Sequence, residues 1–216
     1  MSVRVACIAL FIVLSCASTS IAQDSAPPAN DPETMKAVRL HEHSTAPGAV
    51  RFEDAPRPTP EAGQVLIRVH AAGVIPGDWK TRDGRFGDLS QYMPLALGYD
   101  VSGVVESVGE GVEKFTVGDE VFGYLSNAGA FAEYAVGHER ELAIKPPNVS
   151  HEQAAGAPVS ALAAWYALVE RAELQEGQTV LIQAGAGGVA GNKQIIILHV
   201  FSNGLLTHKV TDLVNG

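Results

Sequence analysis

Between Met35 and Pro147 every apolar run is cut short by Gly or Pro. Long helices cannot form through such punctuation, so this stretch is confined to short strands joined by tight turns. Val65, Ile67 and Val69 alternate with Arg68 and His70, as in a half-buried strand. Pro56, Pro58 and Pro60 precede that strand, and Ala72-Gly73 closes it. Val101, Val104, Val105 and Val108 read as a second strand running into Gly109-Glu110-Gly111. Val112 to Val117 leads to the Gly118-Asp119 turn and a further strand, Glu120 to Tyr124, which Asn127 to Gly129 ends. Many short strands with frequent turns form a barrel or a sandwich, and a barrel is the preferred expectation.

With 216 residues the chain has room for one domain, or one domain and a fragment of another. Its 46% hydrophobic and 18% charged residues exclude disorder, coiled coil and collagen. The net charge of -9 comes from scattered acidic residues, whereas nucleic-acid binding calls for a basic face, so nucleic acid is not an expected partner.

Residues 1–22 carry one charge, Arg4, then the ten-residue apolar run Val5 to Leu14, then small residues ending at Ala22. This is the layout of a secretory signal peptide, and the run is half the roughly 20 residues a bilayer-spanning helix needs. Cleavage after Ala22 and export, periplasmic or secreted, are expected. Two alternatives stay open: acylation of Cys16 as a lipoprotein, and a cytoplasmic form starting at Met35. Residues 23–34 read as a polar linker. Both cysteines, Cys7 and Cys16, lie in the leader, so the cleaved chain would hold no thiolate.

The texture changes at Ser150. Ser150-His151-Glu152-Gln153 fits a capping box and predicts a helix start. Pro158 interrupts that helix, and Ala161 to Arg171 is expected as a second one. Thr179 to Ile182 reads as a parallel strand covered on both faces, leading into Ala184-Gly185-Ala186-Gly187-Gly188-Val189-Ala190-Gly191. A strand followed by a glycine-rich turn is how α/β folds bring backbone amides to a pyrophosphate, although such a turn also serves as a plain tight connection.

Taken in order, Met35-Lys36-Ala37-Val38, Val65 to Gly73, Pro76-Gly77-Asp78-Trp79-Lys80, Leu97-Gly98-Tyr99-Asp100-Val101-Ser102-Gly103, Val117-Gly118-Asp119-Glu120 and Gly129-Ala130-Phe131-Ala132-Glu133-Tyr134 resemble the medium-chain dehydrogenase/reductase superfamily. Within it they resemble the zinc-independent quinone oxidoreductases. The resemblance implies a mainly β chain with an α/β fragment. A GroES-like β-barrel over 35–149 would be followed over 150–191 by the helical pair, first strand and Gly-rich loop of an incomplete Rossmann domain. It also implies NADPH as cofactor, and a small-molecule quinone or enone as acceptor of its hydride. A homodimer is compatible with it.

By resemblance the cofactor-binding residues are Ala184, Gly185, Gly187, Gly188 and Val189. The catalytic candidates are Lys80 and Tyr99, and the substrate-pocket candidates are Ile75 and Trp79. Zinc-dependent relatives bind their metal through a Cys and a His where this chain has Ile75 and Tyr99, so no metal site is expected. His41 and His43, two apart with no third ligand, read as solvated surface residues. The family often has Asn at Ile75 and Thr at Ala163, and it has Gly where Ala184 and Ala190 stand. After Gly191 the pattern is lost, and residues 192–216 match nothing in the family. The expected function is therefore reduction of a quinone or enone, impaired by loss of most of the cofactor domain. The alternative is an exported non-catalytic barrel or a truncated gene product without function.

Overall fold

The computed structural model describes residues 33–175, 178, 180 and 187–191. The expected leader, almost all of the linker, Ala184, Gly185 and the tail 192–216 lie outside the described residues, as does the strand Thr179 to Ile182 except for Val180.

Eight strands are described, all paired antiparallel. They are β1 (Thr34–Leu40), β2 (Val50–Pro56), β3 (Gln64–Gly73), β4 (Leu95–Ala96), β5 (Asp100–Val108), β6 (Glu120–Tyr124), β7 (Tyr134–His138) and β8 (Leu142–Ile144). One sheet runs β2-β1-β4 and the other β7-β3-β5-β6-β8. The two meet where Val38 N donates to Phe131 O (2.7 Å) and Glu133 N to Lys36 O (3.0 Å), just before β7 begins. These bonds turn two sheets into the partly open barrel that the turn-rich sequence predicts.

The core explains the valine pattern. Val65, Ile67, Val101, Val121 and Leu125 are fully buried, and Phe115, from the loop before β6, packs among them. Leu66 is buried too, so β3 is covered on both faces along its first half. Strict alternation therefore understates its burial.

The helical elements are α1 (Pro76–Arg82), α2 (His151–Ala155), α3 (Pro158–Trp165) and α4 (Gly188–Gly191). The capping box forms as expected: Gln153 N donates to Ser150 Oγ (3.3 Å) and Ser150 N to Gln153 Oε1 (3.0 Å). Pro158 opens α3 at its first position, where its missing N–H leaves no intrahelical bond unmade.

The helix expected over Ala161 to Arg171 differs from the one observed. It begins at Pro158 and stops at Trp165, and Tyr166 to Arg171 coils into a wider π-type turn. There Ala172 N donates to Ala167 O (3.1 Å), five residues back, and Trp165 Nε1 reaches Glu170 Oε1 (3.2 Å) across the same spacing. No residue of Tyr166 to Arg171 is buried, so among the described residues little packing holds this segment to the tighter pitch.

Candidate functional site

The site grows from α1, a seven-residue helix between β3 and β4. Pro76 sets its first turn, and the carboxylate of Asp78 reaches back so that Oδ2 accepts the Ile75 N–H at 2.7 Å. Asp78 is 6% exposed, and its second oxygen, Oδ1, accepts no hydrogen bond. Burial raises its pKa, and the amides of Ile75 and Gly98 pull the other way.

One turn on, Thr81 is fully buried and donates its hydroxyl to Gly77 O (2.9 Å). Its only proton being spent there, the 2.7 Å contact with Tyr99 Oη requires Tyr99 to donate to Thr81. The Tyr99 ring stacks on Tyr124, with centroids 5.6 Å apart and planes 10° from parallel. Burial first, then Tyr99 and Asp100, raise the Tyr124 pKa.

Ile75 and Tyr99 converge: a Cβ built on Gly77 would lie 3.0 Å from Ile75 Cδ1 and 3.5 Å from Tyr99 Cδ2. The structure thus joins two of the four expected barrel-side residues in one niche, walled by a flat pair of aromatic rings. The other two stand together nearby. Lys80 holds its ammonium 5.8 Å from the centre of the Trp79 ring, and Arg85 holds its guanidinium 5.0 Å from it. Trp79 is 41% exposed, a surface aromatic and not a core one.

Next to Tyr99 in the chain, at the start of β5, is a carboxylate that nothing in the sequence pattern singles out. Asp100 is fully buried, and both its oxygens face a single donor, the Val159 N–H at the start of α3 (3.1 and 3.2 Å). Burial raises its pKa to about 7 against the pull of that N–H, with Asp78 pushing the same way as burial.

Two residues along the same face of β5, fully buried Ser102 donates to Val121 O (3.0 Å), so His151 Nδ1 must donate to Ser102 Oγ (2.8 Å). The other nitrogen of His151 lies 3.4 Å from Glu120, which also pairs with the buried ammonium of Lys145 at 3.0 Å. The His70 ring sits 4.5 Å from that of His151.

The His70 pKa is lowered by desolvation, then by His151 and Arg68. A folded-state pKa below 6.5 means the folded protein prefers neutral His70, so its contribution is present above 6.5 and is lost as pH falls below it through the lowered folded-state value. The effect is small because the ring is exposed and screened. His70→Gln is expected to lose less thermal stability than the parent chain between about pH 7 and about pH 5, as measured by circular dichroism melting.

His41 and His43 are less exposed than expected, each being held by named partners. They lie beyond β1 and both are partly buried. His41 Nε2 pairs with Glu53 at 2.8 Å. His43 Nδ1 donates to Thr81 O (3.0 Å), and its Nε2 accepts the Leu89 N–H (2.9 Å). His43 therefore braces the back of the Thr81 turn. Polar residues after a strand look exposed in sequence when the loop that covers them lies about 40 positions away. Among the described residues no three His, Cys, Asp or Glu side chains gather into a group that would hold a metal.

A cleft of about 620 Å³ opens elsewhere, lined by Met35, Leu95, Tyr134, His138, Arg140 and Glu141 among others. None of Ile75, Trp79, Lys80 or Tyr99 borders it, so its volume does not mark the site.

Of the expected cofactor loop, Gly187, Gly188 and Val189 are described. Gly188 opens α4, and the nearest atom a Cβ there would meet is Ser160 Oγ, on α3, at 3.4 Å. Val189 is 49% exposed.

Residues 61–147 match the family described as alcohol dehydrogenase GroES-like domain. The chain is 35% identical over 200 residues to the NADPH-dependent alkenal/one oxidoreductase, chloroplastic, of Arabidopsis thaliana, a match covering 89% of this chain and 52% of that protein. The quinone oxidoreductase from Coxiella burnetii superposes with a TM-score of 0.64 at 35% identity, over 74% of this chain and 52% of that one. A mycobacterial protein solved in complex with NADPH gives 0.65 at 34% identity, over 76% and 49%. The chain spans about half the length of the relatives it matches.

Proposed function

Because the chain belongs to the medium-chain dehydrogenase/reductase superfamily, among its quinone oxidoreductase-like members, we propose that it takes part in NADPH-dependent reduction of a small-molecule quinone or enone. The observation that carries this reading is the Ile75–Tyr99 niche, where the two side chains meet at Gly77 and the Tyr99 ring stacks on Tyr124, in a chain that continues to a glycine-rich loop. A flat conjugated acceptor lies well against such a wall, gaining offset stacking as well as burial.

NADPH, when bound, supplies a hydride; Gly187, Gly188 and Val189, with Ala184 and Gly185, are the residues that would hold it. Reduction of a quinone or enone takes up that hydride and one proton, and negative charge develops on the acceptor oxygen meanwhile. Lys80, on the same helix as Gly77, is the cation assigned to stabilise that charge. Tyr99 acts as an oriented wall, since its phenolic proton is held by Thr81. Ile75 excludes water from the same space.

Export through cleavage after Ala22 belongs to this proposal and is checked by the intact mass of the cellular protein. A second reading, a barrel without catalysis, draws on the apolar Ile75 and Ala163 at positions where the family often has polar residues. The full chain with NADPH and either a benzoquinone or an α,β-unsaturated ketone is expected to consume NADPH, and Tyr99→Ala to slow it about tenfold or more, the scale of losing an oriented contact. Consumption no faster than in buffer favours the second reading.

A further inference from the structure

Asp100 does something that neither barrel nor helix requires separately. Its carboxylate is fully enclosed, yet two oxygens share one N–H, that of Val159 in the first turn of α3. Ala157, which precedes α3, supplies no side-chain cap, so Asp100 fills that role from a strand 59 residues away. The next residue after Val159 is Ser160, whose Oγ lies 3.4 Å from where a Cβ on Gly188, at the start of α4, would stand.

We propose that Asp100 is a positioning residue that latches the N-terminus of α3 to the barrel and, through Ser160, fixes the Gly188 end of the glycine-rich loop. Its meaning for a cofactor rests on the reading above; the latch itself does not.

The latch responds to pH. Among the described residues, the groups facing the carboxylate are Asp78 from α1, the phenol of Tyr124 from β6 and the Val159 amide from α3, and none of these is a cation. With α3 docked, Asp100 holds its proton to about pH 7, whereas an undocked, hydrated Asp100 would release it near the ordinary carboxylate value of 3.8. Between those values the docked state binds more protons, so raising the pH favours release of α3; above about 7 the effect levels off.

Hydrogen–deuterium exchange of the full chain without cofactor, corrected for intrinsic rates, tests this. Protection of the amides at 159–165, referred to those of β5, is expected to fall up to about tenfold per pH unit between about pH 5 and about pH 7, then to flatten. Asp100→Asn keeps an acceptor for Val159 and removes the charge, so its profile is expected to lose that fall, leaving only the opposite, weak trend from His70. Asp100→Ala is expected to lower protection at every pH. A flat parent profile overturns the latch, as does an Asp100→Asn profile with the parent's slope. NADPH binding is read separately by fluorescence, so failure of the redox reading leaves this result standing.

Discussion

Ile67→Ala is expected to destabilise the barrel by about 2–5 kcal/mol, because the lost contacts leave a cavity that two sheets cannot collapse to fill. Ile67 is fully buried among Val65, Val101, Val105 and Leu125, and β3, which carries it, pairs on both sides. Leu162→Ala on the exposed face of α3, where the side chain is 56% exposed, is expected to stay within about 0.5 kcal/mol. Urea unfolding followed by circular dichroism compares the two; equal midpoints would mean the core has been placed wrongly.

Gly73→Val is expected to cost about 3 kcal/mol and to act at the junction more than in the sheet. A Cβ on Gly73 would collide with the carbonyl oxygen of Ala155, the last residue of α2, and would press on Asp100 Cβ at 3.0 Å. Backbone cannot yield as a flexible side chain does, so α2 must lift from β3. Near-native far-ultraviolet dichroism together with fast proteolysis around residues 150–165 is the expected pattern. Resistance equal to the parent chain would show that the helical segment does not depend on this close approach.

These two positions show what a sequence carries and what it withholds. The strands around Ile67, Val101 and Val121 are legible because alternation and glycine turns are local signals. The capping box at Ser150 and the break at Pro158 are legible for the same reason. The α1 helix is harder to read, since its decisive contact is Asp78 reaching back to the Ile75 N–H inside a motif of only seven residues.

Within the site, Ile75 and Tyr99 could be chosen by resemblance. Their supports could not: Tyr99 leans on Thr81 18 positions away and Asp100 on Val159 59 positions away. His43 misleads for the same reason, its partners Thr81 and Leu89 lying 38 and 46 residues on. Asp100 in particular reads as an ordinary turn-to-strand acid until the fold shows that it is sealed from water beside a second carboxylate.

The claim on which the functional account rests is that the segment following α3 presents a dinucleotide to the Ile75–Tyr99 niche. Titrating the full chain with NADPH while recording nicotinamide fluorescence tests it most directly. A saturable change, weakened by Gly188→Asp through repulsion of phosphate, is the predicted result. A response that stays linear with NADPH, identical in the parent chain and the variant, would contradict it.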